Sequence, residues 1–142
     1  GWTIKGLLGL HSYINQETQA IGLAKYWLDK TNLMKRANDN ASDLSYGDQR
    51  RLEIARAMCT DPRMLCLDEP AAGMTPSERE HTTDLIKRTA GNHAVVVVEH
   101  DMQFVRRLDC RVTVLHEGSV LAEGSYEFVT NNKDVIDVYL GR

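Results

Sequence analysis

Five residues in unbroken apolar succession, Ala94-Val95-Val96-Val97-Val98, stand out from a chain patterned mostly at helical spacing. A β-branched run without alternation predicts a strand covered on both faces, as in a parallel sheet between helices. Far upstream, Ile21, Ala24 and Leu28 recur at i, i+3 and i+7, with Leu23 and Trp27 widening the stripe. Residues Gly1 to Arg36 accordingly read as helical, closed by the polar break Asn38-Asp39-Asn40.

A second helix is expected from Ser45, because Ser45-x-x-Asp48 has capping-box spacing and Leu52, Ile54, Ala55 and Met58 follow it. Asp61-Pro62 ends that helix, and Met64 to Leu67 then reads as a short buried strand. Thr75-Pro76-Ser77-Glu78 signals another start: a Thr cap, Pro at the first helical position and a carboxylate at the third. This helix is expected to reach Ala90, with Gly91 as its C-terminal glycine. A short helix from Asp101 to Arg107 follows the valine run. Val112–Leu115 and Val120–Ala122, joined through Glu117-Gly118-Ser119, predict a hairpin. Ser125 and Asp134 are placed to cap two short closing helices. Strands alternating with helices put the chain in the α/β class.

Composition narrows the function classes. The 142 residues carry a formal net charge of −3, which argues against a nucleic-acid binder, since phosphate neutralisation needs clustered Lys and Arg. Arg50, Arg51 and Arg56 do cluster, and on a helix they read as a solvated face or as ion-pair partners. Cys59, Cys66 and Cys110 show no C-x-x-C spacing and suit a reducing cytosol better than a disulfide or zinc framework. His11, His81, His93 and His116 have no metal-ligand spacing. The longest uncharged apolar run is too short to span a bilayer, and no signal-peptide pattern opens the chain. Any work at a membrane is therefore expected to be done by docking on one.

Two strings carry the chemistry. Leu44-Ser45-Tyr46-Gly47-Asp48, followed by Gln49-Arg50-Arg51, precedes Leu65-Cys66-Leu67-Asp68-Glu69-Pro70. A helix start offers unpaired N–H groups and positive dipole character to an anion, and Gly47 allows close backbone approach. An acidic residue at the end of a strand can hold a hard cation beside phosphate oxygens. The two strings resemble the signature and Walker B motifs of ATP-binding-cassette (ABC) ATPases, in the order and spacing of that family. No G-x-x-x-x-G-K-[ST] phosphate loop occurs in the 142 residues. The resemblance is thus to the latter part of a nucleotide-binding domain, able to offer half of an ATP site.

Finer strings resemble importer ATPases for branched-chain amino acids, amides and urea. They are Asp68 to Met74, Val98-Glu99-His100-Asp101-Met102, Gly118 to Gly124 and the ending Val138-Tyr139-Leu140-Gly141. The resemblance implies ATP and Mg²⁺ as cofactors, Asp68 as the Mg²⁺ ligand and Glu69 as the base that polarises the attacking water. It implies His100 as the switch histidine at the γ-phosphate, and Ser45, Gly47 and Asp48 facing a nucleotide held by the opposite subunit. Tyr46 stands where the family more often has glycine, and Asp48 where it has glutamine. A carboxylate beside a triphosphate is repulsive by ~1 kcal/mol at a surface dielectric, unless Asp48 serves only as the capping carboxylate.

The implied fold is a partial ABC-type P-loop ATPase core, a parallel sheet with helices on both faces. Residues 1–43 would form a helical subdomain that receives the permease, and residues 44–142 the signature, Walker B and switch-histidine portion with a C-terminal hairpin and helices. The implied protein energises import at the cytoplasmic side of the membrane, with a full-length ABC ATPase subunit and a membrane permease as partners. The alternative is a truncated, non-catalytic protein that donates only its signature surface. A homo-oligomer is expected because a core without its phosphate-loop strand leaves an open edge beside Val95–Val98.

Overall fold

The computed structural model describes residues 11–139; the expectations for residues 1–10, and for Leu140 and Gly141, lie outside them. Among the described residues, six α-helices and four strands follow in the order α1 His11–Lys30, α2 Tyr46–Met58, β1 Met64–Asp68, α3 Pro76–Ala90, β2 Ala94–Val98, α4 Met102–Leu108, β3 Val112–His116, β4 Ser119–Gly124, α5 Tyr126–Thr130 and α6 Lys133–Tyr139. Two short 3₁₀ turns, Met34–Arg36 and Ala41–Asp43, link α1 to α2. The chain divides into two compact units, 11–66 with Gly73–Val96, and Leu67–Ala72 with 97–139.

In the first unit α1 lies against α2, and α2 against α3. Helix α1 stops at Lys30, short of the expected Arg36, where Asn32 turns into the left-handed region at φ 59°. Its predicted stripe is only partly used: Trp27 and Leu28 are half-buried, whereas Ile21 and Leu23 are exposed. Trp27, Leu28 and Ala24 instead line a groove of about 560 Å³ with Leu52, Ala55 and Cys59 of the α2 segment. Helix α3 starts as its sequence dictates. The Thr75 side chain accepts from the Glu78 N–H, the Glu78 side chain accepts from the Thr75 N–H, and Pro76 occupies the first turn. Leu85, Ile86 and Met58 are buried here. Gly91 ends the helix at φ −62°, a right-handed conformation that does not require glycine.

β1 and β2 pair as a parallel two-stranded sheet. The expectations of a buried β1 and of a β2 covered on both faces are not met. Leu65 is buried, but Met64 and Cys66 beside it are exposed, and Val96 and Val98 keep 47% and 60% of their surface. An unbroken apolar run reports that both faces are meant to be covered. It cannot report whether the covering element lies within the described residues, and here nothing among them covers that face.

The second unit is built on the β3–β4 hairpin, turned by Glu117 at φ 48° and Gly118 at φ 77°. The positive φ at both central positions matches the right-handed twist of the strands. A register shift at Val114/Leu115 leaves Leu121 as the extra residue, so the bulge lies on β4. Ala122, Val129 and Val135 form a buried cluster under α5 and α6, with Val112, Val114 and Leu121 packed around it. Ser125 caps α5 as expected. Asp134 does not cap α6: the Asn132 side chain accepts from the Asp134 and Val135 N–H groups, so the cap lies two residues earlier. Asp101 caps α4 by accepting from Gln103 and Phe104. Phe104 itself is 2% exposed.

Core truncation and exposed-face truncation therefore separate. Phe104→Ala should lower unfolding stability by about 3–5 kcal/mol, while Val98→Thr on the exposed face should shift it by about 1 kcal/mol or less. Urea titrations followed by circular dichroism check both, and equal shifts would contradict the burial described.

Candidate functional site

The sequence-expected residues fall into two groups, one in each unit. The first gathers at the start of α2. Ser45 is extended at φ −60°, ψ 159° and its hydroxyl oxygen accepts from the Asp48 N–H at 3.2 Å, so it is the N-cap. The Asp48 carboxylate does not complete a capping box. It pairs with Arg51 one turn along, in a half-enclosed position where the side chains keep 17% and 10% exposure. Asp48 is thereby drawn back onto its own helix with its charge matched. Arg50 bonds the Tyr46 hydroxyl and Glu53, so Arg50 and Arg51 of the arginine cluster are ion-paired.

The group that does reach the α2 start comes from α3. The Ser45 hydroxyl donates to Glu78 Oε1 at 2.9 Å, and the Gly47 N–H donates to the same carboxylate. The other oxygen, Oε2, accepts from the Thr75 N–H at 2.9 Å and the Thr75 hydroxyl at 2.8 Å. One carboxylate thus serves two helix N-termini, whose first N–H groups have no intrahelical partner. The Thr75 N–H, then the Thr75 and Ser45 hydroxyls, and more weakly the Gly47 N–H, hold the Glu78 carboxyl down at about 2 from an ordinary 4.5. A Cβ at Gly47 would lie 2.6 Å from the Glu78 carboxyl carbon, so glycine is what lets the carboxylate sit there.

The second group sits at the ends of β1 and β2. Asp68 closes β1 and is exposed. Glu69 follows at φ 43°, the left-handed region where non-glycine residues are uncommon, and its N–H donates to the Val98 carbonyl at 2.9 Å. That conformation turns the Glu69 side chain toward His100, whose Nδ1 lies 3.3 Å from Glu69 Oε1. Both remain open to solvent, at 54% and 76% side-chain exposure.

Glu99, to which no role falls from its sequence position, organises this pair. Its side chain is 2% exposed. Oε1 accepts from the Ala71 N–H at 2.9 Å, and Oε2 from the His100 and Asp101 N–H groups at 3.0 and 3.2 Å. A buried carboxylate so satisfied ties the turn carrying Glu69 to the turn carrying His100. The only hint in the sequence is an acidic residue immediately after an apolar strand.

These residues fit a Mg²⁺–nucleotide only in part. No group of three or more His, Cys, Asp or Glu able to hold a metal occurs among the described residues. Mg²⁺ commonly takes one or two carboxylates and fills its remaining positions with water and substrate phosphates, so Asp68 alone is compatible with it.

Residues 9–72 match the family model described as ABC transporter, and residues 119–142 that described as Branched-chain amino acid ATP-binding cassette transporter. The chain belongs to the ABC transporter ATP-binding family. It is 44% identical over 138 residues to the high-affinity branched-chain amino acid transport ATP-binding protein LivG of Escherichia coli strain K12, covering 96% of this chain and 54% of that protein. It is 43% identical over 140 residues to BraF of Pseudomonas aeruginosa, described in the same words, covering 97% and 55%. The chain thus spans about half the length of the curated relatives it matches. Among solved structures, the ADP conformation of an ABC transporter's ATP-binding cassette superposes with a TM-score of 0.78 at 26% identity, over 87% of this chain and 51% of that one. A nucleotide-free ATP-binding cassette gives 0.79 at 24%, over 100% and 58%, which supports the fold alone. ABC membership implies nucleotide binding for the family and bears out the resemblance read from Leu44–Asp48 and Leu65–Pro70.

Two expected outcomes follow from the carboxylates. Because the folded-state value of Glu78 is depressed, its contribution to stability is present in full above the unfolded value and is lost as pH falls toward about 2. The gap in urea midpoint between wild type and Glu78→Gln should therefore be widest near about pH 6 and close by about pH 2; a gap that stays constant contradicts the arrangement. Glu99→Gln puts an amide donor against one set of N–H groups. Amide exchange at Ala71, or at His100 and Asp101, should accelerate by about 10–100-fold, matching a lost buried bond. Unchanged exchange at all three sites rules the brace out.

Proposed function

We propose that the chain is the signature, Walker B and switch-histidine portion of an ATP-binding subunit of an ABC importer for branched-chain amino acids, amides or urea. The observation that carries the reading is the Glu69–His100 pair, set 3.3 Å apart at the ends of two paired strands directly after Asp68. A strand-end carboxylate and an imidazole so placed suit a water poised for in-line attack on a terminal phosphate. Here Asp68 would hold Mg²⁺, which would supply charge neutralisation at the phosphates. Glu69 accepts hydrogen bonding from the attacking water and His100 keeps its ring toward the phosphate.

The Ser45–Gly47 surface faces the nucleotide of an opposite subunit, at the start of α2. The helical part within 1–43 meets the permease, and the groove along Trp27, Leu28 and Leu52 is the apolar surface it offers. No helix among the described residues is long and apolar enough to cross a membrane. A peripheral position on the cytoplasmic face is in keeping with that. The exposed Val96–Val98 face and the two-stranded β1–β2 sheet support a homo-oligomer.

The 142 residues contain no phosphate loop, so MgATP turnover by them alone is expected to stay at background. Mixed with a phosphate-loop-bearing subunit of the family, they should alter that subunit's ATPase rate. Ser45→Arg should remove the effect. A rate unchanged at saturating excess, or an effect that survives Ser45→Arg, overturns the reading. Light scattering on the same samples should show a dimer or larger species, and a stable monomer at about tens of micromolar excludes the oligomer.

A further inference from the structure

We propose that Glu78 is a gate on the signature surface: its carboxylate occupies the seat that the terminal phosphate of a nucleotide would take between Ser45 and Gly47, and must leave before that phosphate can enter. This rests on the reading of Ser45–Gly47 as a phosphate-facing surface and concerns how that surface is controlled.

The seat is already filled by an anion. Glu78 Oε1 takes the Ser45 hydroxyl, and the Gly47 N–H donates more weakly to the same carboxylate; these are the two donors that a phosphate oxygen would need. The carboxylate fills the space over Gly47 so closely that a Cβ there would meet the carboxyl carbon at 2.6 Å. A carboxylate and a phosphate cannot share these donors, because two anions at contact distance repel.

The carboxylate has somewhere to go. Its second oxygen is tied to the Thr75 N–H and hydroxyl, at 2.9 and 2.8 Å, and those bonds belong to the cap of α3. Withdrawal of Oε1 from Ser45 leaves the α3 cap intact, so the gate opens without unwinding either helix. The neighbouring acid does not compete for the seat, since the Asp48 carboxylate is paired with Arg51. The groups that bind Glu78 at the seat are neutral hydroxyl and N–H donors, so its negative charge faces an incoming phosphate unmatched by them. The result is a signature surface closed by its own chain at rest, which an incoming phosphate opens only by displacing Glu78.

The test is a titration of the 142-residue chain with inorganic phosphate, followed at the Gly47 and Asp48 amides by heteronuclear NMR. Glu78→Gln keeps a side-chain oxygen for the Thr75 cap and removes the charge. It should lower the half-saturating phosphate concentration by about 10-fold relative to wild type. Glu78→Ala should do the same, and adding Ser45→Ala to Glu78→Gln should cancel the gain. The proposal is overturned if the three forms titrate alike, if no form shows a saturable shift at these amides, or if the gain survives Ser45→Ala. Phosphate binding needs no partner subunit. A failure here is therefore separate from an unchanged ATPase rate in the mixed assembly, which counts against the underlying reading instead.

Discussion

The opening N–H groups of a helix have no partner inside it, and two such openings meet at one side chain in this chain. Helices α2 and α3 both begin with a hydroxyl cap, Ser45 and Thr75, and the Glu78 carboxylate is hydrogen-bonded at both starts. The arrangement settles several local features together. Gly47 has no side chain because the carboxylate lies over it. Asp48 turns back to Arg51 in place of its own cap, leaving the anion-binding end of α2 to a residue 33 positions away. Cap, glycine and ion pair are consequences of one electrostatic demand.

The other unit meets a comparable demand with a buried carboxylate. A short turn follows each of β1 and β2, and turns of this kind leave N–H groups without a partner inside a strand or helix. Glu99 accepts three of them and so carries Glu69 and His100 as a pair. The left-handed backbone at Glu69 fits the same picture. An unfavourable local conformation persists only where the surroundings hold it, and here the Val98 carbonyl and the Glu99-bound turn do so. Acidic residues in this chain thus divide by burial: Glu99 is enclosed and ties the two turns together, while Asp68 and Glu69 stay open to solvent.

Much was legible from the sequence alone, where the governing interactions run over three or four residues. The Ser45, Thr75 and Ser125 caps, the Pro76 start and the Glu117-Gly118 turn follow from hydrogen bonds and backbone preferences inside a single turn of chain. The order of the motif strings pointed to the family for the same reason, since order and spacing are properties of the chain. Asp134 was misjudged as a cap because Asn132, two residues earlier, competes for the same N–H groups, and spacing does not rank the two.

What tertiary structure decided is everything that depends on a partner far along the chain. The Val95–Val98 run shows a demand for cover, yet Val96 and Val98 are exposed because burial is set by neighbouring elements and not by the strand. The stripe on α1 likewise predicted a helix but not which of its residues find a surface; Trp27 does and Ile21 does not. Glu78 reads in sequence as a capping carboxylate, and Glu99 as an acid after a strand. Their second roles come from donors 33 and 28 residues away, on Ser45 and Ala71. A carboxylate has two oxygens, and the sequence specifies a local partner for one of them; the fold chooses the partner of the other.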